Sequence, residues 1–204
     1  MSTNTNNIII EDTVKIGKNV KILPNNVILG NTIIGDNSII NYGNYINNST
    51  IGKNCNIEYS HIEESVIEDF VSIGPFSHLR PNSKIGSYCK IGNFVEIKNS
   101  QLGNNVKASH LSYIGDAEIG NNCNIGCGVI FANYNGTTKN KSIVKDNCFI
   151  GSNVNIIAPI TLANGTYICA GTTITRDTNE YDFVIGRPHE TIKSKKAKYY
   201  IKNF

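Results

Sequence analysis

An aliphatic side chain returns at every sixth position along most of the chain. The series Ile16, Ile22, Ile28, Ile34, Ile40 and Ile46 holds that step without a slip. It resumes as Ile73, Leu79, Ile85, Ile91 and Ile97, and again as Ile150, Ile156, Leu162, Ile168 and Ile174. In a helix, at about 100° per residue, such a step scatters the apolar positions over three faces and leaves no stripe to bury. A flat strand would need its alternation to continue through the intervening Gly-Asn-Asn turns, and it does not. What remains is a solenoid that turns a corner every six residues, so that three faces close one triangular rung of roughly eighteen residues.

Ile-Gly dyads at Ile16-Gly17, Ile34-Gly35, Ile73-Gly74, Ile91-Gly92 and Ile150-Gly151 mark the repeat. The aliphatic side chain points into the coil, and the glycine or asparagine positions after it tolerate the left-handed backbone of a tight corner. Backbone groups of each short strand must pair with the rungs above and below. Nine or ten rungs at about 4.8 Å predict a prism roughly 45 Å long. Steps of five, from Ile46 to Ile51 and from Ile57 through Ile67, call for tightened corners. Residues 131–142 contain no Ile, Leu or Val and are expected to leave the prism as a loop, the usual place for function in a repeat protein. From about residue 176 the repeat stops. The tail, with Lys193, Lys195, Lys196, Lys198 and Lys202, is expected to cover the open end of the coil. The expectation is therefore an all-β body over 8–176, with the loop 131–142 protruding, and a capping tail over 177–204.

A length of 204 residues suits one elongated domain. A net charge of +3 without interleaved aromatics gives no nucleic-acid surface. No apolar run approaches the roughly 18 residues of a membrane span, and Met1 to Asn7 is polar, so a cytoplasmic protein is expected. Six cysteines (Cys55, Cys89, Cys123, Cys127, Cys148 and Cys169) are irregularly spaced and read as reduced structural thiols. Only Cys123 and Cys127 lie close together and no second pair follows, so no metal site is expected.

Non-repeat residues carry a further signal. Gly-Pro-Phe-Ser-His-Leu-Arg-Pro (74–81), Gly-Asn-Phe-Val-Glu-Ile-Lys (92–98), Ala-Ser-His-Leu-Ser-Tyr-Ile-Gly-Asp-Ala-Glu-Ile-Gly (108–120), Asn-Tyr-Asn-Gly (133–136) and Ala-Gly-Thr-Thr-Ile-Thr-Arg-Asp (170–177) stand in order. Across 8–190 the chain closely resembles the acetyltransferase domain of the bifunctional glucosamine-1-phosphate N-acetyltransferase and N-acetylglucosamine-1-phosphate uridyltransferase family. The resemblance implies a left-handed parallel β-helix, a homotrimer and acetyl-CoA as donor. It implies acetylation of the amine of glucosamine 1-phosphate, on the route to UDP-N-acetylglucosamine and cell-wall precursors. The family's uridyltransferase half has no counterpart in these residues. A stand-alone transferase beside a separate uridyltransferase and a fragment both fit.

Among the histidines, His110 sits beside aliphatic positions rather than on one, so it can face outward. A neutral imidazole can take a proton from an amine attacking a thioester, and the resemblance gives His110 that role. It places Glu96 near this histidine, where a carboxylate can orient the ring. Arg80 and Lys98 stack on one side of a prism with eighteen-residue rungs and, with Lys139, are the phosphate candidates by residue type. The resemblance joins Tyr113 and Asn124 to them. It also sets Asn133 and Tyr134 at the sugar and acetyl site, and Cys127, Ser152, Ala170 and Arg187 on the coenzyme A side. The developing oxyanion needs donors, and backbone N–H groups near Cys127 and the Asn133 amide both qualify. His61, His78 and His189 lack such a setting and read as structural or solvated.

Three other readings compete. One keeps the chemistry and changes the acceptor to another amino sugar. A metal-dependent carbonic anhydrase on a similar prism needs three histidines from neighbouring rungs and chains, and no closely spaced His pair exists here. The last is a non-catalytic scaffold or ice-binding solenoid; ice-binding faces need regular Thr-x-Thr ladders, whereas Thr172-Thr173 is isolated.

Overall fold

The computed structural model describes residues 7–186 and 188–200. Short strands of two or three residues, each too small to bury a face alone, stack in parallel with the equivalent strands of the neighbouring rungs. One face of the prism carries a nine-stranded sheet. The other two share an eighteen-stranded sheet, because the longer strands Lys90–Lys98 and Lys107–Gly115 run across the corner between them. Along one face Tyr45, His61, His78, Glu96 and Tyr113 stand in register on five successive rungs.

The six-residue step is the core. Ile28, Ile40, Ile46, Ile57, Ile62, Leu79, Ile97, Ile114, Ile150, Ile156 and Ile168 are fully buried. Each such side chain contributes about 1.5–3 kcal/mol relative to exposure. Small polar side chains at the corners satisfy the main chain of the next rung. Asn26 Oδ1 accepts from Asn44 N at 2.9 Å, Asn44 Oδ1 from Ser60 N at 2.9 Å, and Ser60 Oγ from Ser77 N at 3.3 Å. Buried thiols share this work: Cys89 donates to Gly103 O at 3.1 Å and accepts from Val106 N at 3.3 Å. Burial pushes the Cys89 thiol up to about 11 and raises that of Cys55. All six cysteines are free; Cys127 alone is exposed, and Cys169 is half-buried.

Asparagines hold many corners at positive φ, among them Asn19, Asn37, Asn54, Asn105, Asn122 and Asn153. The shortened steps are absorbed where expected, at Asn48, Tyr59 and Glu64 with φ of 46°, 41° and 42°. Two boundaries differ from the expectation. Phe131 is fully buried and continues the six-residue step from Ile125, so the loop begins later, after the strand Ile130–Ala132, and ends at the strand Ser142–Val144. The coil also runs past residue 176. Phe183–Val184 adds a last strand beside Tyr167–Ile168, whereas residues 188–200 of the tail bury no side chain. Among the described residues no helix is long and apolar enough to cross a membrane.

Candidate functional site

The corner between the two joined faces carries a line of small exposed positions below His110. Asn93 pairs with His110 across the two long strands. Two residues before this position on each rung, Ala108 pairs with Ile125, Ile125 with Ile150 and Ile150 with Ile168. His110, Cys127, Ser152 and Ala170 therefore occupy equivalent positions on four successive rungs, and all four are exposed. Gly151 makes room there: a Cβ on it would stand 2.5 Å from Ala170 N. His110 Nδ1 lies 2.9 Å from Asn93 Oδ1. An amide oxygen only accepts, so Nδ1 carries the proton and the Nε2 lone pair is left for a substrate. Asn93 was not among the residues singled out in the sequence, since its role appears only when rungs are stacked.

Cations gather at the far end of the long strand Lys90–Lys98. Arg80 and Lys98 follow the paired residues Leu79 and Ile97, one rung apart. The Lys98 ammonium is held below its ordinary value, first by its neighbour Lys139 and also by Arg80, with Asp116 opposing. The loop is a small hairpin: Tyr134 bridges Lys139 in antiparallel fashion, and Asn140 N donates to Asn133 O at 2.7 Å. Asn133 is buried, donates its amide to Asp116 and approaches the Tyr113 hydroxyl at 3.5 Å. Gly115 allows this, because a methyl group there would overlap both the Tyr113 hydroxyl and the Asn133 amide. A cavity of about 460 Å³ lies between the loop and the rungs, lined in part by Asn99, Asp116, Glu118, Lys139 and Lys141. Asp116 is a further residue missed in the sequence; it stands in the 108–120 motif but has no chemistry to mark it until it meets Asn133.

Several expected residues fall elsewhere. Glu96 is not the partner of His110 within the chain: it pairs with Tyr113 in register, and its carboxylate is bound by Arg80 Nη1 at 2.9 Å. Asn124 stands between Lys107 and Phe149 on neighbouring rungs, on a strand other than those that lead to Arg80 and Lys98. Tyr134 is exposed on the loop, where it donates to Gly136 O at 2.6 Å, whereas its neighbour Asn133 is buried. Arg187 lies outside the described residues. His61 and His78, separated by seventeen positions in sequence, are directly paired on adjacent rungs, so the absence of a closely spaced His pair was no guide to their distance.

A family profile described as "GMPPB C-terminal domain" matches residues 61–184, and one described as "Bacterial transferase hexapeptide (six repeats)" matches residues 13–48. The "Bifunctional protein GlmU" of Caldicellulosiruptor saccharolyticus is 53% identical over 146 residues, covering 72% of this chain and 32% of that protein. Its namesake in Alkaliphilus metalliredigens is 45% identical over 184 residues, covering 90% of this chain and 40% of that protein. The chain thus spans between 32% and 40% of the length of these curated relatives. Among solved structures, the UDP-N-acetylglucosamine acyltransferase of Francisella novicida aligns with a TM-score of 0.50 at 19% identity, over 81% of this chain and 60% of that one, a likeness of fold.

Proposed function

On the premise that the chain belongs to the hexapeptide-repeat family profiled as the GMPPB C-terminal domain and is a homologue of the acetyltransferase part of the GlmU proteins, we propose that it transfers acetyl from acetyl-CoA to the amine of glucosamine 1-phosphate. The observation that carries the reading is the column of His110 with Cys127, Ser152 and Ala170, headed by an imidazole whose Nδ1 is engaged by Asn93. Coenzyme A laid along this small-residue edge brings its thioester to His110. The amine attacks the thioester carbonyl, Nε2 accepts the amine proton, the C–N bond forms and the C–S bond breaks. That proton then leaves with the coenzyme thiol. The oxyanion falls to the backbone N–H of Cys127, since the N–H groups of Gly126 and Gly128 are bound to Ile150 O and Leu111 O and the Asn133 amide faces Asp116 and Tyr113.

Arg80, Lys98 and Lys139 favour a phosphorylated acceptor: Glu96 is bound to Arg80 and Asp116 acts on Lys98, and a dianionic phosphate suits the three cations together. Within one chain these cations and His110 lie at opposite edges of a face. Gly115, the residue paired with Lys98, is five positions along the same strand from His110, on the order of 16 Å of extended chain. The amine and phosphate of the acceptor sit on neighbouring carbons. A second copy supplying the other half of the site resolves the mismatch, and three prisms packed about one axis form a homotrimer.

The test is release of free thiol from acetyl-CoA with glucosamine 1-phosphate, glucosamine and other amino sugars, the product identified by mass spectrometry. Acetylation of glucosamine 1-phosphate well ahead of the others supports the reading. Preference for an unphosphorylated amino sugar overturns the acceptor, and no thiol release with any amine overturns the reaction.

A further inference from the structure

Above the Arg80–Glu96 pair the same face carries a group of side chains that acetyl transfer does not use. His61 and Glu63 project from one strand on either side of the buried Ile62, and His78 lies on the next rung in register with His61. Their reactive atoms converge. His61 Nε2 is 3.3 Å from Glu63 Oε2, His78 Nε2 is 3.9 Å from the same oxygen, and all three atoms lie within 4.8 Å of one another. His78 Nε2 is enclosed and has no hydrogen-bond partner, although 42% of the side chain faces solvent. Buried polar atoms are nearly always paired, so an orphaned nitrogen aimed at a carboxylate needs a reason. A plain ion pair explains His61 and Glu63 and leaves His78 unexplained.

We propose that His61, Glu63 and His78 bind one divalent cation of the zinc class, leaving its solvent side to water. Two imidazoles and one carboxylate form a ligand set suited to zinc and its first-row neighbours, whereas calcium and magnesium prefer oxygen alone. Bonds of about 2.0–2.2 Å in tetrahedral geometry hold ligand atoms roughly 3.3–3.5 Å apart. The His61–Glu63 separation already meets that spacing, and small side-chain rotations bring in His78. The rings are supported from above: Tyr45 stacks on His61 with centroids 4.5 Å apart, and His61 meets His78 edge-on at 4.9 Å.

The experiment uses the tag-free, full-length chain stripped with chelator. Zn²⁺ is titrated by calorimetry, and Co²⁺ is followed by its visible absorption. One cation per chain is expected, with a cobalt spectrum free of thiolate charge-transfer bands. His61→Ala and His78→Ala should each weaken binding by about a hundredfold or more, since even outer-shell changes cost 10–100-fold, while Cys127→Ser leaves it unchanged. Absence of saturable Zn²⁺ or Co²⁺ binding by the parent chain overturns the proposal, as does binding that survives in the double His61→Ala, His78→Ala variant. The parent titration needs no variant to fold, and circular dichroism checks the variants that are used.

Discussion

Removing the Asn93 side chain tests whether the His110 tautomer matters. The Asn93 Oδ1 to His110 Nδ1 bond is 2.9 Å long and faces solvent. A neutral hydrogen bond contributes about 0.5–1.5 kcal/mol, and exposure places this one in the lower half of that range. At about 1.36 kcal/mol per decade of rate, Asn93→Ala should lower kcat some two- to fivefold. His110→Ala, which removes the proposed base, should cost about 10² to 10⁴-fold with the fold retained. Asn93→Asp keeps an acceptor facing Nδ1 and should recover most of the loss. Steady-state thiol release at saturating substrates gives kcat. Nitrogen-15 NMR of the imidazole reads the tautomer directly, and its Nδ1–H population should fall in Asn93→Ala and return in Asn93→Asp. Unchanged tautomer and rate in Asn93→Ala would refute the reasoning. So would a loss as deep as that of His110→Ala without rescue by Asp, which would make Asn93 a support of the corner rather than of the ring.

Two further outcomes follow from the cation cluster. Arg80→Ala should weaken use of glucosamine 1-phosphate by about ten- to hundredfold while barely affecting plain glucosamine, as measured by kcat/KM on both acceptors; equal losses on both would assign Arg80 to the fold or the donor. If the site is completed by a second copy, inactive His110→Ala and Lys139→Ala chains, unfolded and refolded together, should regain part of the activity. Mixed oligomers seen by native mass spectrometry without any recovered activity would place both residues in one chain's site.

The six-residue step made the coil and its core legible because burial inside a narrow prism constrains every inward position in the same way. Phe131 escaped for a chemical reason: it fills an isoleucine position with an aromatic ring, so a search for aliphatic residues put the loop boundary too early. The strand Phe183–Val184 escaped similarly, because the sequence step fails before the stacking does. His110 and the cations were singled out through motif residues, but the contacts around them were not. Asn93 and Asp116 act through contacts seventeen residues away. Rungs in this chain are not of equal length: Tyr45 to His61 is sixteen positions and His61 to His78 seventeen, so neighbours across rungs cannot be found by a fixed count.

The loop has a consequence for how such a chain diversifies. Ala117 pairs with Ser142 and Glu118 with Ile143 across the excursion, in the same parallel register as rungs without one. Segments of different length can be spliced at this point while the strands on either side keep their alignment, and the column from His110 to Ala170 is left undisturbed. On the proposed function, the groups facing the acceptor and the edge facing the donor are free to drift separately, and exchanging residues 133–141 is expected to alter acceptor choice within one scaffold.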